Sequence, residues 1–490
     1  MYDIIIIGAG ISGAACAYEL SKYNLRIAIV EKYNDVSCGT TKANSAIIHA
    51  GYDPAPSSLM AKLNVRGAEL TADICRSLDV PYEQCGALVV AFGEEEEYTL
   101  EQLKEQARLN GVKGCSIISG DEARKLEPYL SKDVTSALNV PGSAIICPWD
   151  YCLALNETAI RNGADLFLNS EVRSIDRDDD GIWAVHSVNP DNPADFRNLT
   201  APYVINAGGI YADRLHDMVA PHDFTIIPTL GEYYLMDKPE GKRCTRTIFQ
   251  CPNDSGKGVV VSPTVHGNLI VGPNIRIIED DSTSTHADSL EYIKSAGARS
   301  VPSIDFSQNI RNYAGIRART DKHDFIIREV PEAPGFIDVA GMCSPGLASA
   351  PAVGEYVRQI IADSVKARGD SSPFEMSRRD NFICERRRIR FNRLSPEEKR
   401  RLVEEHPAYG HVICRCNTVT EGEILDSFHG PIPPRTLDGV KRRVGSSMGR
   451  CQGGFCSTQI MRIIAEQLGV SEDEIPMDQP GSWILEKEVR

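Results

Sequence analysis

Residues 3–32 read DIIIIGAGISGAACAYELSKYNLRIAIVEK, and this stretch decides the fold. An apolar run (Ile4 to Ile7) meets a glycine turn, a helical stretch follows, and a second apolar run closes on Glu31. That order predicts a βαβ unit. Gly8 permits the tight turn, Gly10 lets the backbone approach a pyrophosphate, and Gly13 lets the helix pack closely on the strand. The first helical amides then face the phosphates. Glu31 is placed to accept a hydrogen bond from a ribose 2′-hydroxyl, so the expectation is a dinucleotide site in a Rossmann-like α/β domain.

The glycines alone do not separate a nicotinamide from a flavin, but the neighbouring segments do. After Lys32 comes SCGTTKANSAIIHAGYDP (37–54), whose small and hydroxyl side chains, among them Thr40, Thr41, Asn44 and Ser45, allow close backbone approach to a flavin nucleotide. YVINAGGIYADRL (203–215) sets an apolar strand before Ala207 and Gly208. GFIDVAGMCSPGLASAPAVGEYVRQII (335–361) gives a strand, a turn containing Gly341, Gly346 and Leu347, and a helix expected to begin near Ala350. The start of that helix can stabilise negative charge on a flavin. No second GxGxxG offers a separate nicotinamide site.

The segments GAGISGAACAYEL, TTKANSAIIHAG, VINAGGIYADRL and AGMCSPGLASAPAVG resemble the D-amino-acid-oxidase-type flavoprotein superfamily. Within it they are similar to the branch holding FAD-dependent glycerol-3-phosphate dehydrogenases and L-2-hydroxyglutarate dehydrogenases. The resemblance covers roughly residues 1–370 and implies FAD, with Val172 as a further contact. It also implies a discontinuous FAD-binding domain (1–80, 142–222 and 328–375) with an inserted α+β antiparallel-sheet substrate domain (81–141 and 223–327).

Composition bounds the rest. A chain of 490 residues, 42% hydrophobic and 25% charged, holds two to four folding units. Its 53 basic and 68 acidic side chains leave −15, which argues against nucleic acid as a partner. Nothing approaches the ~18 apolar residues of a membrane span, and MYDIIIIGAGISG lacks the features of a secretory signal. The expectation is a cytoplasmic protein, with peripheral membrane association through partners left open. The run Glu94 to Glu97 reads as a solvated helix start, and residues 224–327 as antiparallel strands. Residues 376–408 read as a basic linker, whose arginines favour a solvated helix face over contact with an acidic partner or membrane.

Of the fifteen cysteines, eleven are scattered from Cys16 to Cys384 and suit buried small hydrophobes, with the exception of Cys343, which lies in the expected flavin turn. The other four, Cys414, Cys416, Cys451 and Cys456, are spaced C-x-C and C-x4-C within residues 409–475, ahead of a tail at 476–490. Thiolates near helix N-termini suit an iron cluster, whereas structural zinc sites more often use C-x2-C pairs; zinc and a metal-free module stay as alternatives. This segment is similar to the bacterioferritin-associated-ferredoxin-like domain, which implies a 2Fe-2S cluster on the four cysteines and a small helical fold.

RNYAGIRARTDKHDFIIREV (311–330) carries the substrate signal, since arginine forks suit carboxylate or phosphate. In glycerol-3-phosphate dehydrogenases a similar stretch carries two phosphate-binding arginines, and Arg317 and Arg328 occupy the matching places, with Arg319 in reserve. His49 is the nearest histidine to the expected flavin and a candidate base for the hydroxyl proton. Tyr234 is a candidate substrate contact, while Glu232 reads as an ordinary charge at the sheet edge. Two features depart from the glycerol-phosphate pattern: Cys343 stands where those enzymes carry a lysine, and GEYYLMD (231–237) is closer to the hydroxyglutarate branch. The resemblance to the anaerobic large-subunit type implies oxidation of sn-glycerol 3-phosphate, a small anionic hydroxy substrate, with electrons passing from FAD through the cluster to partner redox subunits or a quinone-linked acceptor. The rivals are an L-2-hydroxyacid (2-hydroxyglutarate) dehydrogenase and a non-catalytic electron-transfer subunit.

Overall fold

The computed structural model describes residues 1–252, 258–367 and 376–485. The opening stretch forms β1 (Ile4–Ile7), α1 (Ile11–Leu20) and β2 (Ile27–Val30). All four β1 isoleucines are buried, as a parallel strand covered on both faces requires. Each contributes about 1.5–3 kcal/mol of burial. β1 pairs in parallel with β2 on one side and Tyr203–Asn206 on the other. Asp165–Phe167 and Phe336–Ala340 continue the sheet in parallel, and Ile326–Glu329 closes one edge antiparallel. The sheet thus gathers strands far apart in sequence. Helix Gly346–Ala367 begins four residues earlier than Ala350, and Pro351 sits within it. In sequence Pro351 reads as a first-turn residue, which places the start too late. The chain is in fact already turning at Gly346, whose amide donates to the Cys343 carbonyl.

A second, nine-stranded sheet draws on residues 87–140 and 226–320. Its spine is the long antiparallel pair Ile226–Met236 and Asn309–Thr320, with Gly231 opposite Gly315 and Thr229 opposite Arg317. One pairing, Thr247–Gln250 with Ala87–Ala91, is parallel; it joins the two inserted segments into one sheet. The acidic run Glu94 to Glu97 forms the first turn of helix Glu94–Leu109, where carboxylates favour the helix dipole.

The basic segment matches the expected solvated helix face only at Pro396–Glu405, a helix with no buried residue. Arg386, Arg388 and Arg390 instead lie on an extended strap and converge on Asp150, at 2.7, 3.1 and 3.5 Å, with Glu157 and Asp79 taking the remaining contacts. Alternate residues of an extended chain share a side, which is why every second arginine points inward. Burial pushes the Asp150 carboxyl up, but the three guanidinium groups outweigh it and hold it at about 2. The expected domain limit at residue 375 lies outside the described residues.

The C-terminal module has its own core around Ile424, Val440, Ile460 and Ile464. It is tied to the nucleotide domain by Asp35, which is buried between Arg442 (2.9 Å) and Arg443 (2.8 Å), and by Lys42 on Asp478 at 2.6 Å. Burial raises the Asp35 pKa from 3.8, and the two arginines reverse this and set it at about 2. A carboxyl lowered by folding stabilises above its unfolded pKa, so the docking is at full strength above about pH 4 and weakens as pH falls toward 2. Replacing Asp35 by Ala leaves buried Arg443 without a carboxylate and Arg442 with Asp478 alone, and is expected to cost about 3–5 kcal/mol. Calorimetry should then show the module melting separately at lower temperature; a single unchanged transition would contradict this.

Candidate functional site

Between β1, the 37–49 loop and strand Asn309–Thr320 runs a cavity of about 520 Å³, lined by Gly8, Gly10, Glu31, Lys32, Thr40, Thr41, Asn44, Ser45, Val172, Ala207, Gly208 and Leu347. Gly13, Gly341 and Gly346 do not line it. Gly13 lies behind the wall: a Cβ there would stand 1.9 Å from the Gly8 carbonyl oxygen, so the close helix–strand approach requires glycine. The α1 N-cap, Gly10, has no side chain to cap the helix, the Ile11 amide donates to Thr41 Oγ1 at 3.0 Å, and the N-terminus opens on this cavity through Gly10 and Ile11. Glu31 is buried at the strand end and accepts from the Ala9 amide (2.7 Å) and the Tyr33 amide (3.0 Å). Burial raises its pKa against those two hydrogen bonds. Lys32 lies 3.8 Å over the Tyr211 ring. A helix N-terminus that opens on the cavity, a close-packed glycine turn and a terminal acid fit a bound dinucleotide.

The loop carrying Thr40 to Ser45 is fixed to the second sheet. Thr40 Oγ1 donates to the Ile316 carbonyl at 2.6 Å, and the Tyr313 hydroxyl donates to the Asn44 carbonyl at 3.1 Å. Tyr233 stacks on Tyr313 at 4.7 Å and meets Ser45 Oγ at 3.0 Å. Strand alternation therefore brings Tyr233 to the cavity and turns Tyr234 to the other face, where it packs edge-on against Phe306. Tyr234 as a substrate contact is corrected on that ground.

A second cavity of about 620 Å³ adjoins the first, and six residues wall both: Ser45, Ile47, His49, Arg317, Cys343 and Ser344. His49 Nε2 is 3.3 Å from Ser344 Oγ, and the His49 carbonyl accepts from buried Asn64 at 2.7 Å. Arg317 reaches the Asn274 carbonyl with both terminal nitrogens at 3.4 Å; Gly231 makes room, since a Cβ there would lie 2.4 Å from Arg317 Nη2. Arg319 and Arg276 line the same second cavity. Arg328 does not: it is exposed at the sheet edge and pairs with Asp223. The pairing of Arg317 with Arg328 is thus corrected, because strand Ile326–Glu329 belongs to the nucleotide sheet and Arg317 and Arg319 are same-face neighbours.

Two features escaped the sequence. Glu232 is fully buried rather than at an edge; it accepts from Asn274 Nδ2 at 2.8 Å and from the His286 amide and ring nitrogen. Burial raises its pKa, and hydrogen bonds from Ser289, His286 and Asn274 bring it net below the usual range. Arg276, held by Asp288 at 2.6 Å, completes the cationic wall. Only the turn Gly272-Pro273-Asn274 before it marks the place in sequence.

In the C-terminal module, Cys416 Sγ and Cys451 Sγ lie 3.6 Å apart, and Cys456, at the N-cap of helix Ser457–Leu468, meets Ser447 Oγ at 3.4 Å. A hydrogen bond from Cys456, helped by the Asn417 and Ser447 amides, draws Cys414 down to about 6 despite burial. Four thiols served by backbone amides fit a thiolate-ligated iron cluster.

Comparison with known proteins gives two family models. One, FAD dependent oxidoreductase, matches residues 3–360, and the other, BFD-like [2Fe-2S] binding domain, matches residues 412–466. The chain is 44% identical over 487 residues to glycerol 3-phosphate dehydrogenase of Caloramator mitchellensis, covering 99% of this chain and 98% of that one. It is similar to the FAD-bound, dithionite-reduced L-α-glycerophosphate oxidase of Mycoplasma pneumoniae, with a TM-score of 0.72 and 31% identity over 78% of this chain and 98% of that one. Human mitochondrial L-2-hydroxyglutarate dehydrogenase is 32% identical over 56% of this chain and 60% of its own length.

Proposed function

Because the chain belongs to the FAD dependent oxidoreductase family and carries a BFD-like [2Fe-2S] binding domain, we propose that it oxidises sn-glycerol 3-phosphate to dihydroxyacetone phosphate and sends the electrons out singly through the cluster. The near-full-length likeness to a glycerol 3-phosphate dehydrogenase supports this reading over the hydroxyglutarate one, whose relative is matched over 56% of the chain. The observation that carries it is the cationic wall of Arg317, Arg319 and Arg276 beside the cofactor cavity. The domain limits given above belong to this proposal. So does a cytoplasmic location; among the described residues no helix is long and apolar enough to cross a membrane.

Bound FAD supplies the two-electron acceptor. The chain's own residues do the rest. Gly8, Gly10 and the α1 amides would hold its pyrophosphate, and Glu31 its ribose. Arg317 and Arg319 fix the substrate phosphate, and Arg276 adds charge from the far strand. His49 takes the hydroxyl proton at Nε2 as the carbon is oxidised, the substrate hydroxyl displacing the Ser344 hydroxyl that stands 3.3 Å from that nitrogen. Tyr233 and Ser45 close the side of the cavity against water.

Anaerobic addition of sn-glycerol 3-phosphate to the holoenzyme is expected to bleach the yellow flavin absorbance, while L-2-hydroxyglutarate leaves it unchanged. Bleaching by the hydroxy acid alone would transfer the assignment to the rival. Since Arg328 is remote from the cavities, Arg328→Ala should leave KM within about 2-fold, as an exposed pair contributes little. Arg319→Ala should raise KM about tenfold, the value of one charge-assisted hydrogen bond. Steady-state kinetics on the two variants checks the order; a larger effect at Arg328 would reverse the correction made above.

A further inference from the structure

The loops that hold the four cysteines carry an unusual surface. Phe455, between Cys451 and Cys456, is 79% exposed, although an aromatic side chain normally gains from burial. Cys416 is exposed and Cys451 half-buried, whereas Cys414 and Cys456 are buried, so one pair of thiols faces outward. Residues 412–418 and 445–458 contain Arg415 and Arg450 and no acidic residue, in a chain whose balance is −15. Both arginines are exposed, each beside an outward-facing cysteine. Arg450 reaches Asp237 at 3.5 Å, and among the described residues Arg415 forms no ion pair. An apolar centre rimmed by cations, on a molecule otherwise negative, is the pattern of a transient, charge-steered protein contact.

We propose that this face, centred on Phe455 and rimmed by Arg415 and Arg450, is the docking site for a protein one-electron carrier with carboxylates around its redox edge. The inference rests on the reading of the module as a 2Fe-2S domain and names the kind of partner that domain serves. In the step, one electron leaves the reduced cluster and reduces the partner's oxidised centre by one; no bond or proton moves. Phe455 supplies the desolvated contact, and the arginines set the encounter and reject cationic carriers.

The test uses photoreduced holoenzyme, so that it does not depend on the substrate, and two haem carriers of opposite charge as probes: the acidic soluble domain of cytochrome b5 and basic cytochrome c. Reduction of the acidic carrier is expected to be at least tenfold faster at low salt and to slow about tenfold between roughly 0.02 and 0.3 M ionic strength, as screening removes the steering. Phe455→Ala and Arg415→Gln should each slow it severalfold and weaken binding in calorimetry, with iron content and visible spectrum retained. Equal rates with both carriers, a preference for the basic one, or absence of salt dependence in the unmodified enzyme would overturn the proposal even if a variant lost its cluster. Self-association through Phe455, seen as a dimer that Phe455→Ala abolishes, would also overturn it. Failure of the substrate reading is separate: the flavin would stay yellow with glycerol 3-phosphate while photoreduced enzyme still reduced the acidic carrier.

Discussion

Arg317→Ala is expected to lower kcat/KM for sn-glycerol 3-phosphate about 10³-fold, roughly 4 kcal/mol of lost transition-state binding. The size follows from its place. Arg317 is on the wall common to both cavities, and its guanidinium is held by the backbone carbonyl of Asn274, whose side-chain amide donates to buried Glu232. Removing it takes away both a phosphate fork and the one arginine of that wall that also lines the cofactor cavity. Arg317→Lys should recover only part of the loss, because an ammonium keeps the charge but not the planar fork. Flavin content and melting temperature should stay near those of the parent, since the side chain braces nothing in the core. A variant that loses activity only by losing FAD would assign Arg317 to cofactor retention instead.

The second large effect is at the cluster. Cys456→Ser should abolish bound iron, because Cys456 is a buried member of the thiol set and sits at a helix start. The flavin should still bleach with substrate, while the rate of electron delivery to one-electron acceptors falls at least about 10²-fold. Iron analysis with the two rates measured on one preparation checks the claim. Unchanged delivery in the iron-free variant would show that electrons leave the flavin directly.

The nucleotide half was legible in the sequence because its signal is local: β1, the Gly8–Gly13 turn, α1 and Glu31 lie within thirty residues, and each glycine answers to one steric demand. The C-x-C and C-x4-C spacing was legible for the same reason. The substrate wall was not, because it is made by register between strands far apart in the chain. Arg317 and Arg328 look equivalent along the sequence, but Asn309–Thr320 joins the substrate sheet and Ile326–Glu329 the nucleotide sheet. Tyr233 and Tyr234 differ only in which face of one strand they occupy, and a one-residue choice of face inverts the assignment. Glu232 and the arginine strap were misjudged by the usual preference of charged residues for water, which buried partners override.

The central claim is that one chain holds a two-electron and a one-electron centre in series, and an anaerobic titration with sn-glycerol 3-phosphate that follows flavin absorbance and the cluster's electron paramagnetic resonance together tests it most directly. The account predicts uptake of about three electrons per chain, or about 1.5 equivalents of substrate, with both signals changing. Saturation at about one equivalent with the cluster still oxidised, or no bleaching at all, would contradict it.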